Sequence, residues 1–435
     1  MDKIVGVFLL SLVLGACGGS GGGSADTSNF CADTESRQRL VNNLANYYLW
    51  YTQLPAIDLS DSRYCSLPVL LEDLRYQAED RFSYIQPKAE FDSFFDEGTY
   101  EGFGFGYRFV NDETVISFVY GDSAAGRAGM LRGDTIMSID GESTAGLSLA
   151  EVGALISLSA GNSQSTMVLR GTDDGVRTIE MGAGLVVINT VLDVRVVEHN
   201  GLKVGYLAFK NFLEPSRAEL DTAFALLSSE NIDELVLDLR YNGGGRIDVS
   251  RKLASLVAGQ IPDDSVFTTL QHNDRQSNFD FSHLFASEDN SLNFLNRVLV
   301  LTLADTCSAS ELIINGLRPW LGETEVVTIG SATCGKPLGS YAFDITATST
   351  LSRQTQVYSL SAINFRLVNS LDQGGYVEGI SADCAASDEL GKQLGDPTEA
   401  MFAAALAYVD SGTCATGRDS WSSASEGSYR VFDSF

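Results

Sequence analysis

Residues 235–245 read Leu-Val-Leu-Asp-Leu-Arg-Tyr-Asn-Gly-Gly-Gly. The first five are apolar at almost every position, as expected of a strand buried on both faces of a sheet. The glycines behind them admit backbone conformations closed to other residues, so the chain can turn sharply there. A helical stretch follows to about Val257. Strand, tight loop and helix in that order make half of a parallel β–α–β unit. The pattern recurs on both sides. Residues 204–209 read as a strand, and 215–227 as a helix with proline near its first turn. Residues 298–303 and 325–329 are two further buried strands. The expectation for 191–410 is an α/β domain on a parallel or mixed sheet. Ligands of such sheets gather at the carboxyl ends of the strands. Loops 240–245, 306–311 and 331–336 each follow a strand end, so they should converge on one edge.

The second loop reads Thr306-Cys307-Ser308-Ala309-Ser310-Glu311. From Ser308 to Glu311 it has the S-x-x-E spacing of a helix capping box. A helix start also offers free N–H donors and a favourable dipole to a developing oxyanion. Ser308 therefore fits either a cap or a nucleophile. A serine hydroxyl is a weak nucleophile without a base. None of the three histidines, His199, His272 and His283, follows one of these strand ends. Lys336 does, in Thr333-Cys334-Gly335-Lys336. A lysine can serve as general base where burial lowers its pKa from about 10.4 toward neutrality. Taken alone, a lysine after a strand is more often a solvated surface residue.

In order along the chain, Asp238-Leu239-Arg240-Tyr241-Asn242-Gly243-Gly244-Gly245, Ser308-Ala309-Ser310-Glu311 and Thr333-Cys334-Gly335-Lys336 resemble the motif series of the C-terminal processing peptidases, family S41. The resemblance implies a crotonase-like catalytic core and serine endopeptidase activity. It implies Ser308 as nucleophile and Lys336 as general base. It places the oxyanion hole at the backbone N–H groups of Ala309 and a glycine among 243–245, most plainly Gly244. Ser310 falls where the family often has alanine. Asp238 and Arg240 read as an ion pair shaping the glycine loop, and Glu311 as a helix cap. The chain departs from the family at Ser340, where many members carry a glutamine that orients the lysine. Asp383 matches a late motif whose usual proline is missing, so no role is carried to it. Cys307 and Cys334 flank the two reacting residues, and a disulfide between them would clamp the two loops.

Toward the N-terminus the texture changes. The run from Gly121 to Met130, then Gly133-Asp134-Thr135-Ile136 and Ile139-Asp140-Gly141, resembles a PDZ domain of the bacterial protease type, here residues 99–190. Gly102, Phe103, Gly104 and Phe105 fall where such domains bind a terminal carboxylate. Successive N–H groups left free by glycine form an anion-binding nest, and an extended peptide adds as a strand beside it. Residues 30–98 read as a mostly helical, aromatic-rich domain with no catalytic cluster, hence a cap or packing unit.

The first 16 residues pair Lys3 with an apolar run from Ile4 to Leu14, too short to span a bilayer. Small residues after such a run mark a cleavage site. Leu14-Gly15-Ala16-Cys17 resembles the lipobox of bacterial lipoproteins. It implies a lipidated Cys17, a Gly/Ser tether over 17–29, and a protein anchored in the cell envelope. Gly18 is compatible with the outer membrane. An exported chain with an even set of remaining cysteines suggests disulfides, and sequence neighbours suggest 31–65, 307–334 and 384–414. There is no C-x-x-C metal spacing, and neither a metal nor another cofactor is expected. The net charge of −28 disfavours nucleic acid as a partner. Unstructured polypeptides are the expected substrate. A peptide-binding lipoprotein without turnover, or a hydrolase of cell-wall peptides or esters, would use the same parts. Beyond about Ser411 the tail loses periodicity.

Overall fold

The computed structural model describes residues 30–293 and 295–414. Cys17, the leader, the Gly/Ser tether and all but the first residues of the tail lie outside this range.

The central sheet has six strands in the order Val191–His199, Leu202–Phe209, Glu234–Asp238, Arg297–Thr302, Val326–Gly330 and Cys384–Ala385. The first pair is antiparallel and every later pair is parallel. Strand 234–238 is buried along its whole length, as its apolar sequence requires. Successive side chains leave a strand on opposite faces. Leu235, Leu237, Val298 and Val300 accordingly join one core, with the helices Ser216–Ser229, Ile247–Val257 and Ala309–Leu321. Val236, Leu299 and Leu301 join another, beneath the helix Ala400–Ser411. The expected α/β domain on a mixed sheet is the one observed.

The PDZ unit is a sheet in the order Phe105–Val110, Glu113–Val119, Thr135–Ile139, Ser165–Arg170 and Val176–Met181. Its helix Leu149–Ala160 begins in a capping box from Ser148 and Glu151. Phe118 and Tyr120 of this unit join the second core of the central domain, so the PDZ unit packs on the sheet face that the Ala400–Ser411 helix also covers.

The N-terminal unit is less self-contained than its sequence suggests. Helices Thr34–Tyr47 and Leu67–Leu74 share one core with Ile345, Ala347, Tyr358 and Leu360. Those four come from a hairpin, Phe343–Thr348 with Thr355–Ser361, that also pairs with Tyr84–Pro87. Short amphipathic helices cannot bury their apolar faces alone, and the late hairpin supplies the surface. The same hairpin follows Lys336 in the chain, so the N-terminal unit is drawn up to the third strand-end loop. Disulfides join Cys31 to Cys65, Cys307 to Cys334 and Cys384 to Cys414, the pairing read from sequence neighbours.

Candidate active site

The three strand-end loops do meet. Ser308 stands at the turn between strand Arg297–Thr302 and helix Ala309–Leu321, with φ 57° and ψ −112°. A non-glycine residue at positive φ is strained by about 1–3 kcal/mol and persists only where its surroundings hold it there. Here they do. The Cys307 N–H donates to Asn242 O at 3.0 Å, and the Ser310 N–H to Cys307 O at 3.1 Å. The Ser308 N–H donates to Glu311 Oε2 at 2.8 Å. That bond is the glutamate half of the expected capping box. The sharp strand-to-helix turn thus presents a partly exposed hydroxyl at a helix start, the arrangement a nucleophile elbow uses. Ser310, by contrast, is buried and donates to Asn242 O at 2.9 Å, so Ser308 is the more exposed serine of the pair.

Glu311 is more than a cap. It is fully buried and binds both loops at once. Besides Ser308 N–H it accepts from Thr333 Oγ1 at 2.6 Å, Gly335 N–H at 2.8 Å and Lys336 N–H at 2.8 Å. Burial pushes its carboxyl above the usual range, and these donors pull it back. The Cys307–Cys334 disulfide ties the same two loops covalently. Capping-box spacing hinted at Glu311; nothing in the sequence pointed to its contacts with 333–336.

Lys336 is partly exposed as a residue, but its amine lies in a desolvated setting. Burial holds it below the ordinary lysine value, against the pull of Glu311 and Asp80 in the other direction. Among the described residues its amine makes no ion pair and no hydrogen bond. It lies over an aromatic face, with Nζ 5.2 Å from the centroid of the Phe82 ring. No hydrogen bond yet joins Nζ to Ser308 Oγ, and Ser340 makes none to the lysine. Ser340 thus supplies no counterpart to the family's glutamine in this conformation; Phe82, from the unit read as a cap or packing unit, lies against the amine instead.

Gly244 lines the site closely. A Cβ there would sit 2.9 Å from Ser308 Cβ and 3.1 Å from Ala309 N, and its φ is +101°. Its own N–H, however, donates to Asn242 Oδ1 at 2.9 Å. Asn242 in turn donates from Nδ2 to Phe209 O at 2.9 Å. The expected oxyanion donor at Gly244 is thus occupied in this conformation, whereas the Ala309 N–H donates to no described residue. The reason is local: an asparagine two residues before a glycine folds its side chain back onto the backbone.

Behind the glycine loop, Asp238 and Arg240 pair as expected, at 2.8 Å, both buried. Arg240 also binds Asp388 at 2.9 Å and Glu399 at 3.0 Å. Two PDZ arginines reach this layer. Arg132 binds Asp388 at 2.6 Å and the Tyr241 hydroxyl, and Arg108 binds Asp305 at 2.5 Å. Burial would disfavour these charges, but the arginines hold Asp388 well below the usual carboxylate range. The PDZ unit thereby touches Tyr241, directly before Asn242, and Asp305, three residues before Ser308.

Gly102 to Phe105 leads into the first strand of the PDZ unit and is buried throughout. Phe103 and Phe105 belong to its core. Phe103 O accepts from Ala125 N–H at 2.9 Å, and Gly104 O from Tyr120 N–H at 3.0 Å. The N–H groups of Phe103 and Gly104 donate to no described residue. Strand Phe105–Val110 is an edge of its sheet. Across from it, a Cβ on Gly153 of helix Leu149–Ala160 would lie 3.0 Å from Tyr107 Oη.

Comparison with known proteins places these parts together. Residues 203–367 match the family profile "Peptidase family S41", 115–171 a PDZ domain, and 35–84 the "Peptidase S41 N-terminal domain". The carboxyl-terminal-processing protease of a Picosynechococcus strain is 29% identical over 223 residues, which are 51% of this chain and 50% of that one. The chloroplastic C-terminal processing peptidase of Tetradesmus obliquus is 29% identical over 260 residues, 57% of this chain and 52% of that one. The chain thus spans about half the length of the curated relatives it matches. A crystal structure of a Bacteroides fragilis protein assigned to the S41 proteases shares the fold, with TM-score 0.67 and 23% identity. That match covers 86% of this chain and 97% of that one.

Proposed function

Because the chain belongs to peptidase family S41 and carries a PDZ domain, we propose that it is an exported serine endopeptidase of unstructured polypeptides, with Ser308 as nucleophile and Lys336 as general base. The observation that carries this reading is the joining of two loops. One holds a serine at positive φ on a helix start. The other holds a desolvated lysine. A disulfide and one buried glutamate bind them together.

The neutral amine of Lys336 takes the Ser308 proton as Oγ attacks the scissile carbonyl. For this the two groups close to hydrogen-bond distance, about 2.6–3.2 Å, when substrate is bound. The Ala309 N–H holds the oxyanion, with the Gly244 N–H joining once Asn242 releases it. Collapse of the intermediate breaks the C–N bond, and the lysine returns its proton to the leaving amine. Water then resolves the acyl-enzyme with the same base. The PDZ unit holds the substrate's C-terminal carboxylate on the free amides of the Gly102–Phe105 segment, with the chain added along strand Phe105–Val110. Cys17 anchors the protein to the cell envelope, probed by labelling with a radioactive fatty acid that Cys17→Ser should lose.

Cleavage of casein or a C-terminally tagged peptide tests the central reading. Both Ser308→Ala and Lys336→Ala should lose on the order of 10³-fold or more. Wild-type cleavage by Ser308→Ala would overturn it. A second reading, a PDZ receptor that binds peptides without turnover, has the occupied Gly244 amide in its favour. Retained peptide binding with no cleavage by the wild type would select it.

A further inference from the structure

We propose that Phe82 is a positioning residue for the base: carried on a turn of the N-terminal unit, its ring is the wall that keeps water from the Lys336 amine. This rests on the Ser308/Lys336 reading above. Phe82 lies far from the catalytic loops in sequence, yet its ring centroid is 5.2 Å from Lys336 Nζ.

The turn that carries the ring is fixed on both sides. Asp80 is buried, and its Oδ1 accepts from the N–H groups of Phe82 and Ser83, each at 2.9 Å. Its Oδ2 accepts from the Tyr48 hydroxyl at 2.7 Å. Ser83 Oγ accepts from Ile363 N–H at 3.0 Å. Arg81 clasps the turn to the catalytic loop through Nη2 to Cys334 O at 2.6 Å. The Arg81 guanidinium lies 5.0 Å from the same ring. The ring is thus held in place by groups from three parts of the chain.

A ring against an amine acts in two opposed ways. Its face attracts a cation and so favours the ammonium. Its bulk excludes water and so favours the free amine. The remaining neighbours divide likewise. Glu311, on the helix behind the loop, and Asp80, behind the ring, both favour the ammonium. Arg81 opposes a second cation on the same ring. Tyr376 lies in the field of Glu311 with a buried hydroxyl that has no partner among the described residues, and it adds no charge while protonated. The net direction at Lys336 is that of desolvation, against Glu311 and Asp80, and the Phe82 ring 5.2 Å from the amine is part of the bulk that displaces water from it.

The test is the pH dependence of kcat/KM for the full chain on an unfolded polypeptide. In Phe82→Ala the rising acid limb should move up by about one pH unit or more, since each unit cuts the free-amine fraction about tenfold. Activity near pH 7 should fall about tenfold and recover at high pH. Phe82→Leu keeps the apolar bulk and drops the ring face, so its limb should stay in place or move down. Asp80→Asn keeps an acceptor for the turn and removes a negative charge, so its limb should also move down. If Phe82→Ala does not fold, Phe82→Gln, which keeps the bulk but lets water bind beside the amine, decides the matter: its limb should also move up, and an unmoved limb would overturn the inference. A purely structural ring would lower the plateau in Phe82→Ala and leave its limb unmoved, which would overturn the inference. A fully active Lys336→Ala would instead overturn its premise, and the inference with it. A dead Lys336→Ala beside an unmoved limb in Phe82→Ala would overturn the inference alone.

Discussion

Ser308 and Lys336 stand at neighbouring strand ends, yet the two are built in different ways. Ser308 is placed by its own strand, its own helix and the adjoining glycine loop. Its conformation is fixed by bonds to Asn242, Cys307 and Glu311. Lys336 has no such local frame. Its loop is held by Glu311 from the neighbouring helix, by a disulfide, and by Arg81 from the N-terminal unit. The segment after Gly374 also runs along it, with Thr333 N–H donating to Ile380 O at 3.1 Å and Ile380 N–H to Thr333 Oγ1 at 2.7 Å. The proposed nucleophile is a local feature and the proposed base an assembled one. Damage should therefore propagate differently from the two sides.

Glu311 is where the two sides meet, so it gives the largest expected effect. Glu311→Ala strands four donors, of which those of Thr333 and Gly335 are buried. Each unsatisfied buried group costs about 1–3 kcal/mol, so a loss of roughly 3 kcal/mol or more is expected, with proteolysis at background. Ser308→Gly is the contrast. It also abolishes proteolysis, but it relieves a strain of about 1–3 kcal/mol at positive φ, against about 0.5–1 kcal/mol for glycine's added freedom. Its melting temperature should equal or exceed that of wild type. Equal destabilisation by both variants in thermal melts would erase the distinction between local and assembled.

The disulfide ranks next, because it acts on the assembled side. It closes a loop of sequence separation 27, for which the chain-entropy account gives about 3.5 kcal/mol. Cys334→Ala, or mild reduction, should lose about that much stability. It should also slow cleavage by about 10- to 100-fold through misplacement of the lysine. Reaction of Ser308 with a small fluorophosphonate should suffer less, since that residue keeps its own frame. Full protease activity after reduction would show that the glutamate alone holds the loops.

Lys336 itself offers a smaller effect with a definite sign. Its amine titrates lower in the folded protein than in the unfolded chain. Between those two values the unfolded chain holds a proton that the folded one has lost, so stability rises with pH across that window. The penalty is fully present below the folded value and gone above about pH 10.4. Lys336→Met removes it. The variant should be inactive, yet more stable than wild type at pH 7 by denaturant titration, with the gain shrinking toward pH 10. A gain that is constant with pH would assign the effect to packing instead.

The same contrast decides what could be read from sequence. The strand ending at Asp238, the glycine loop and the serine on a helix start are short, contiguous signals, and the structure places them on one edge. The cysteine pairs were legible because each joins neighbours within its own segment. Lys336 was found only through its strand end and its resemblance to a family motif. Its surroundings were not visible: Arg81 and Cys334 lie 253 residues apart, and no periodicity links a turn near residue 80 to that loop. The hairpin that completes the N-terminal core was missed for the same reason. Non-local packing leaves only ordinary apolar alternation in the sequence, with nothing to say which surface it meets. The committed Gly244 amide was missed because Asn242 reads as a loop residue whichever way its side chain folds.

Ser340 gives the smallest effect and the sharpest check on that account. By family resemblance it occupies the position of a glutamine that would orient the amine. A serine hydroxyl is short, and here it makes no bond to Lys336. If the base is oriented by the wall, the glutamate-held backbone and the disulfide, Ser340 is idle. Ser340→Ala should change kcat/KM by less than about twofold, with the acid limb unmoved. A tenfold loss, about 1.4 kcal/mol in the transition state, would mean that the lysine swings to Ser340 in the working complex. The base would then be framed locally after all, within four residues of itself, and the difference between the two sides of the site would disappear at the moment of reaction.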